Sequence, residues 1–326
     1  MKRILVTGGA GYIGAVLVRK LLEQNYFVSV LDLFIYGENV LSKHRNLKLI
    51  KGDIRDQSLL ISVLPEHDTV IHLACISNDP SFELNPHLGK SINLDAFRPL
   101  VDISINSGIK RFIYASSSSV YGVKNEKNVH EEMLLEPLTD YSRFKVACEE
   151  ILLEYKNEDF TTVVIRPATV CGYSPRQRLD LVVNILTNVA FHKREIKIFG
   201  GNQLRPNIHI KDMIEAYLVL IKTPKEKINR KIFNIGFENQ TVENLAISVK
   251  EVIGSDVRLT KEHCNDNRSY HISSKKIQEE LGFLTKYTVK DAINDLKDTF
   301  ENKLFYRPLE NENYFNVKKM QSINLK

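Results

Sequence analysis

The chain has 326 residues, of which 43% are hydrophobic and 26% charged, and its formal net charge at pH 7 is +5. A chain of this length can bury a large core, and no apolar run approaches the length of a membrane span. The modest positive charge is spread along the chain, which favours an ordinary solvated surface over a nucleic-acid partner.

The amino terminus and the cysteines predict a cytoplasmic protein. Met1, Lys2 and Arg3 lead directly into an apolar segment, which leaves no room for a signal peptide. The four cysteines stand far apart without paired or metal-ligand spacing, so we expect reduced thiols. The histidines also lack metal-ligand spacing, and we expect no metal.

The first predicted elements are a strand, a glycine-rich turn and a helix. Residues 4–6 form a short apolar strand, residues 7–14 read Thr-Gly-Gly-Ala-Gly-Tyr-Ile-Gly, and an apolar helix follows at 15–22. Gly8 suits a tight turn, and Gly11 lets the backbone approach a pyrophosphate, which the helix N-terminus attracts. A second strand at 27–31 ends in Asp32, at about the 20-residue distance expected of a carboxylate that binds the ribose of NAD.

Short apolar strands then alternate with helices. Strands are predicted at 47–50, 69–73, 112–115 and 163–165, and helices at 57–64, 94–106 and 141–155. Near-continuous apolar strands of this kind are typical of a parallel sheet covered on both faces. The sequence therefore predicts an α/β fold, with a doubly wound parallel-sheet Rossmann domain at 1–172 and a smaller α/β lobe at 173–326. Within this lobe we expect helices at 211–221, 242–253 and 289–304.

Two motifs in the first domain suggest chemistry. Four serines, Ser116 to Ser119, precede Val-Tyr-Gly, and Tyr141 stands four residues before Lys145. This spacing places the phenol and the ammonium on one helix face. A tyrosine with its ordinary pKa of about 10 is a poor base at neutral pH, and a nearby positive charge lowers that pKa. Such a pair suits proton exchange with a sugar or alcohol hydroxyl during hydride transfer.

Together, the motifs resemble those of the extended short-chain dehydrogenases/reductases, in particular the NAD-dependent nucleotide-sugar epimerases and dehydratases of the UDP-glucose 4-epimerase type. The resemblance covers nearly the whole chain and implies a catalytic group of Ser117, Tyr141 and Lys145. In it, Tyr141 is the general base, Lys145 holds the nicotinamide ribose and lowers the tyrosine pKa, and Ser117 bonds to the reacting hydroxyl. It also implies that the chain returns to the nucleotide domain around residues 205–236.

The resemblance further implies which residues bind ligands. Those expected to bind NAD are Gly8, Gly11, Tyr12, Ile13, Asp32, Asp53, Ile54, Leu73, Ala74, Asn93, Tyr141 and Lys145. Those expected to bind a nucleoside diphosphate sugar are Ser118, Thr169, Arg178, Asn184, Arg205 and Arg268, and the last two arginines match residues that grip the diphosphate in relatives. Residues 173–184 resemble a segment found in a subgroup of sugar epimerases and 4-dehydrogenases, which act on precursors of bacterial surface polysaccharides.

The residues beside Ser117 narrow the reaction. Dehydratases of the family carry an Asp-Glu pair where this chain has Ser118 and Ser119, and the related 3,5-epimerase/reductases carry a cysteine at the position of Ser119. We therefore expect oxidation at one hydroxyl, most often C4, with return of the hydride as in an epimerase. A 4-dehydrogenase or 4-ketoreductase and a non-catalytic NAD sensor are the alternatives.

Relatives commonly form dimers through two helices of each subunit. The matching segments are residues 95–106 and 144–155, and both carry apolar residues on more than one face. We therefore expect a homodimer.

Overall fold

The computed structural model describes residues 2–126, 128–263, 269–323 and 325. In the first half of the chain the elements are β1 (Arg3–Thr7), α1 (Tyr12–Glu23), β2 (Phe27–Asp32), β3 (Leu47–Lys51), α2 (Gln57–Val63), β4 (Thr69–His72), α3 (Asp79–Glu83), α4 (Pro86–Lys90), α5 (Phe97–Asn106), β5 (Arg111–Ala115), α6 (Asp140–Glu154) and β6 (Thr161–Pro167). The second half contains β7 (Thr169–Cys171), α7 (Val182–Lys193), β8 (Glu195–Phe199), β9 (Leu204–His209), α8 (Ile210–Lys222), α9 (Lys225–Ile228), β10 (Lys231–Ile235), β11 (Glu238–Thr241), α10 (Val242–Ile253), β12 (Arg258–Glu262), α11 (Lys275–Leu281), α12 (Val289–Glu301) and α13 (Asn316–Ser322).

A seven-stranded parallel sheet forms the centre of the molecule. Its strand order is β10-β6-β5-β4-β1-β2-β3, and each neighbouring pair is parallel. Successive residues of β1 enter different apolar clusters, Ile4 and Val6 on one face and Leu5 on the other. Both faces are therefore covered by helices, and the predicted doubly wound fold is confirmed.

The strand order reverses between β1 and β4, which follow each other in space but not in sequence. At such a switch point the loops leave the strand ends in opposite directions and open a crevice at the carboxyl edge of the sheet. The glycine-rich turn after β1 and the loops after β4 and β5 all lie at this edge.

The second lobe is built on two small sheets. One has the order β11-β9-β7 and the other pairs β12 with β8. Helices α7, α10 and α12 bury Val183, Leu245 and Ile293 in a separate apolar cluster. Strand β10 leaves this lobe and pairs with β6 at the edge of the large sheet, and α8 contacts α1.

Several helices had no signal that we recognised in the sequence. Helix α7 starts at Val182 without a side-chain cap and is apolar on several sides, so neither a start signal nor a clean 3.6-residue stripe marks it. Helices α3, α4, α11 and α13 are only five to seven residues long, too short for a clear period. Every helix within the described ranges is too short or too polar to span a lipid bilayer.

A buried ion pair connects α6 to the sheet. Arg166 of β6 donates from Nη2 to Glu149 Oε2 of α6 at 2.6 Å, and each side chain is only 3% exposed. The same guanidinium donates to the Tyr121 hydroxyl at 2.8 Å, and Tyr121 donates to Asn234 of β10 at 2.7 Å. Ser116 also donates to Glu149. The network joins the segment that follows β5 to β6, β10 and α6.

Replacing Arg166 with Met should destabilise the protein by about 3–5 kcal/mol, because Glu149 would remain buried without its cation. Urea unfolding of the nucleotide-free protein measures this loss. Arg258→Met, which removes an exposed partner of Glu195, serves as the matched control and should cost less than about 1 kcal/mol. Equal losses in the two variants would contradict the role of the buried pair.

Candidate active site

A cleft of about 450 Å3 opens at the carboxyl edge of the large sheet. Its walls come from the glycine-rich turn, the ends of β2, β4 and β5, the start of α6, and the second lobe. The expected ligand-binding and catalytic residues that line it are Gly8, Gly11, Tyr12, Ile13, Asp32, Asp53, Ile54, Leu73, Ala74, Ser117, Ser118, Tyr141, Lys145, Thr169, Arg178 and Arg205. The cleft thus brings together residues from both halves of the chain.

The glycine-rich turn is held against the loop that follows β4. Gly8 has a φ of +71°, and a Cβ on it would lie 2.6 Å from the backbone nitrogen of Ala74. Only glycine fits this position without displacing that backbone. Gly11 is the N-cap of α1 and provides no side-chain acceptor for the first turn. The N–H groups of this turn and the helix dipole can therefore serve an anionic ligand.

Asp32 is fixed at the end of β2 by two backbone donors. Its Oδ2 accepts from Ala10 N at 2.9 Å and its Oδ1 from Phe34 N at 2.8 Å. Burial raises the pKa of Asp32, and these backbone hydrogen bonds and the charge of Arg176 oppose that shift. The carboxylate oxygens keep further lone pairs for ligand hydroxyls. An anion site at α1 with a carboxylate at the end of β2 fits the diphosphate and ribose of NAD.

Tyr141 and Lys145 lie on the first turns of α6, with the Lys145 ammonium 5.7 Å from the centre of the Tyr141 ring. Lys145 is buried and donates from Nζ to Ala115 O at 2.7 Å. Burial raises the pKa of Tyr141 well above its ordinary value, and the Arg178 charge opposes that rise. Desolvation of the phenol therefore dominates in the nucleotide-free protein, and the lowering of the tyrosine pKa by Lys145 stays a prediction.

Ser117 stands at the start of a chain of hydroxyl groups. Its Oγ lies 2.9 Å from Ser119 Oγ, which accepts from Ser142 Oγ at 3.1 Å. Ser142 Oγ lies 2.8 Å from Thr139 Oγ1, and Thr139 donates to Asp79 Oδ1 at 2.5 Å. Both Ser117 and Ser119 line the cleft; Ser119 is buried and has two hydroxyl partners within the protein, whereas Ser117 is half-buried.

Two residues that we expected to bind ligands do not line the cleft. Asn93 is buried, and its side-chain amide exchanges two hydrogen bonds with the backbone of Ile76, at 2.8 and 3.0 Å. Asn184 is fully buried and bonds to Gly172 N, the Tyr12 hydroxyl and Arg178 O. Both side-chain amides thus form their hydrogen bonds within the protein, and these bonds hold loops next to the cleft in place. Arg268 lies outside the described residues.

Arg178 and Arg205 reach the cleft from the second lobe. Arg178 is held by Asp180, with Nε–Oδ1 and Nη2–Oδ2 distances of 2.9 and 3.1 Å. The Arg205 guanidinium lies 5.9 Å from the ring centre of Tyr270, which also lines the cleft. Both arginines thus line the cleft, and the charge of Arg178 is paired with that of Asp180.

Sequence reasoning missed other residues of the cleft wall. Asp79 brings a carboxylate whose charge raises the pKa of Tyr141, and a hydrogen bond from the backbone of Asn78 lowers it. Tyr36 and Asn316 meet at the outer end of the cleft, where the Tyr36 hydroxyl donates to Asn316 Oδ1 at 3.0 Å. Motif spacing could not reveal these residues, because they meet the rest of the cleft through contacts between segments that are far apart in the sequence.

A dinucleotide site that opens onto a tyrosine and a lysine one helical turn apart is characteristic of the short-chain oxidoreductases, and the fold and the cleft define this class. The match to known sequences is more specific. Residues 4–236, more than half of the chain, match the NAD dependent epimerase/dehydratase family, and the chain belongs to this family. It is an NAD-dependent enzyme of the nucleotide-sugar epimerase and dehydratase type, which confirms the resemblance described above.

Individual relatives agree with this assignment. An uncharacterized protein of Sinorhizobium fredii is 36% identical over 218 residues, which are 66% of this chain and 52% of that protein, so the match spans about half its length. The dTDP-D-glucose 4,6-dehydratase of Homo sapiens is 30% identical over 342 residues, 98% of this chain and 93% of that enzyme. A solved structure of the UDP-glucose 4-epimerase of Thermotoga maritima with UDP-glucose has a TM-score of 0.84 at 27% identity, covering 93% of this chain and all of that one.

The nucleotide-free protein should keep Tyr141 as a neutral phenol beyond pH 10, because burial penalises the phenolate. NMR of protein labelled with 13C at the tyrosine Cζ measures the protonation state of each tyrosine. The signal that is missing from Tyr141→Phe belongs to Tyr141. Arg178→Gln should raise the pKa of Tyr141 further, whereas Arg19→Gln, an exposed charge on α1, should leave it unchanged. Titration of Tyr141 below pH 10 would contradict the dominance of burial.

Proposed function

We propose that this protein is an NAD-dependent nucleotide-sugar epimerase that oxidises C4 of a nucleoside diphosphate hexose and reduces it again from the other face. The observation that carries the proposal is the shared cleft of Ser117, Tyr141 and Lys145 with the glycine-rich turn and Asp32. NAD supplies the chemistry by accepting and returning a hydride. The protein residues bind, orient and exchange the proton.

With NAD bound, the positive nicotinamide ring and Lys145 would favour the phenolate of Tyr141, which is proposed to take the proton from the C4 hydroxyl and to give it back when the hydride returns. Ser117 is the hydrogen-bond partner of the same hydroxyl, and Ser142 and Ser119 hold it in place through their own hydroxyl groups. Lys145, fixed by the Ala115 carbonyl, is proposed to hold the ribose next to the nicotinamide. Asp32 would bind the other ribose of NAD.

The substrate side is proposed to recognise a diphosphate. Arg205 lines the cleft, and a guanidinium can hold phosphate oxygens in two directions at once. Thr169, Ser118 and Arg178 line the same cleft as Tyr141 and would contact the sugar. Arg268 remains a proposed second ligand of the diphosphate. Residues 173–184 resemble a segment of enzymes that act on precursors of surface polysaccharides. We therefore propose that the substrate is such a precursor.

The cellular setting is proposed to be the cytoplasm. Cys75, Cys148 and Cys171 are free thiols in the structure. Thiols in this state are typical of a reducing compartment.

Substituting Tyr141 by Phe should lower turnover by about 10²-fold or more, as expected for loss of an acid/base group, while NAD still binds. The assay incubates the enzyme with a panel of nucleotide sugars and follows NADH absorbance and product isomers. Tyr306→Phe, an exposed tyrosine, is the control.

The same assay separates the candidate functions. An epimer without net NADH supports the epimerase. Stoichiometric NADH would instead indicate a 4-dehydrogenase, and oxidation of added NADH a 4-ketoreductase. A protein that binds NAD but converts no sugar would be a sensor, and near-normal turnover of Tyr141→Phe would overturn the role of that residue.

Arg205→Ala should lower kcat/KM for the nucleotide sugar by about tenfold to a hundredfold, the range expected for lost hydrogen bonds to a charged group, without changing the affinity for NAD. Binding energy from the diphosphate orients the hexose, so truncated substrates should also lose kcat. Arg307→Ala, an exposed arginine, is the matched control. Free hexoses or hexose 1-phosphates that react as fast as nucleotide sugars would refute the proposed substrate class.

The protein is further proposed to form a homodimer through α5 and α6. The two helices are neighbours, and Tyr155 donates to Asp102 at 2.5 Å across their exposed sides. Ile103, Ile105 and Val146 remain only half-buried in the single chain. Sedimentation should give a dimer mass at micromolar concentration, and a monomer mass at every concentration would exclude this assembly.

A further inference from the structure

Arg176 lies in the wall of the cleft and is only 3% exposed. Its guanidinium carbon lies 3.5 Å from the ring centre of Tyr36, and Nη2 donates to Asn316 Oδ1 at 2.5 Å. Its Nε, which is fully buried, has no hydrogen-bond partner among the described residues. The guanidinium is therefore held firmly and still has a donor to offer.

The charge of Arg176 lacks an anionic partner in the described part of the chain. The nearby Asp180 forms its ion pair with Arg178, and Asp32 accepts from the backbone of Ala10 and Phe34. Burial lowers the pKa of Arg176 to about 10, which reflects the cost of keeping this charge away from water. A buried cation of this kind is stabilised by a bound anion.

The loop that carries Arg176 is fastened to the glycine-rich turn. Tyr12 donates from its hydroxyl to Gly172 O at 2.7 Å, and Ser174 Oγ donates to Tyr12 O at 2.7 Å. Tyr12 is the first residue of α1, whose first turn has no side-chain cap. The loop that carries Arg176 is thus joined directly to the uncapped helix terminus.

We propose that Arg176 binds the diphosphate of NAD, so that the second lobe contributes a cation to the anion site that the glycine-rich turn forms. The uncapped N–H groups bind the diphosphate from one side, and the planar guanidinium, stacked on Tyr36, supplies a directed donor and a full charge. The proposal needs only NAD, which the family uses, and does not depend on the epimerase reaction.

Asn316 makes the carboxyl-terminal segment a positioning part of this site. Besides accepting from Arg176 and Tyr36, it donates from its backbone N to Asp180 Oδ2 at 2.9 Å and from Nδ2 to Ser77 Oγ at 2.8 Å. It therefore ties Arg176 to both lobes. Removing its side chain should weaken the same ligand contact, but by less than removing Arg176.

The test compares two ligands that differ in the diphosphate. Calorimetric titration of nucleotide-free protein with ADP-ribose and with adenosine gives the affinity of each. Arg176→Gln should weaken the affinity for ADP-ribose by about tenfold to a hundredfold, the range expected for lost hydrogen bonds to a charged group. The affinity for adenosine should not change. Arg176→Lys should recover part of the loss, Asn316→Ala should show a smaller loss of the same kind, and Arg19→Gln should match the unmodified protein.

The adenosine affinity also reports whether each variant still folds its nucleotide site. Equal weakening of ADP-ribose and adenosine would mean that Arg176 only supports the structure, and unchanged ADP-ribose affinity would mean that it does not touch the diphosphate. A variant that binds ADP-ribose normally but UDP poorly would assign Arg176 to the substrate. Each of these results overturns the proposal, and none depends on whether the unmodified enzyme epimerises a sugar.

Discussion

The structure depends on the buried ion pair between Arg166 and Glu149. Two nearly inaccessible charges are costly to bury, and this cost is met only because Arg166 donates to both carboxylate oxygens and Ser116 also donates to Glu149. The pair fixes the rotation and height of α6 against the ends of β5 and β6. Because Tyr141 and Lys145 lie on the same helix, their place in the cleft follows from a contact one to two turns further along it.

Other buried contacts complete the frame around this pair. Cys148 of α6 donates through its thiol to Asn93 O at 3.1 Å, and Asn93 in turn holds the backbone of Ile76. The loop after β4 and the active-site helix are thereby linked. Asp79, the first residue of α3, follows this loop and places a carboxylate near Tyr141, where it also accepts from Thr139. The electrostatics of the tyrosine are thus set by several segments that meet around α6.

The sequence predicted those features that rest on local patterns. The glycine-rich turn, Asp32 and the Tyr141–Lys145 spacing follow from short-range geometry, and the apolar strands identified the parallel sheet. Contacts between distant segments could not be predicted in this way. Arg176 and Asn316 are 140 residues apart, and no period or motif relates them. The high pKa of Tyr141 was not predicted, because the spacing of Tyr141 and Lys145 indicates a nearby charge but not how strongly burial of the phenol raises its pKa. Asn93 and Asn184 were assigned to ligands because an asparagine in a motif does not reveal whether its amide is already used inside the protein.

The most direct test of the account follows a deuterium atom placed at C4 of the nucleotide sugar that the enzyme accepts. If the hydride leaves C4 and returns to it within one cleft, both epimers will retain the deuterium at C4, and no hydrogen from the solvent will enter the ring. Mass spectrometry and NMR of the products measure both quantities. Loss of the label from C4, or incorporation of solvent deuterium at C3 or C5 in D2O, would contradict the account and indicate removal of a ring proton by a carboxylate such as Asp79.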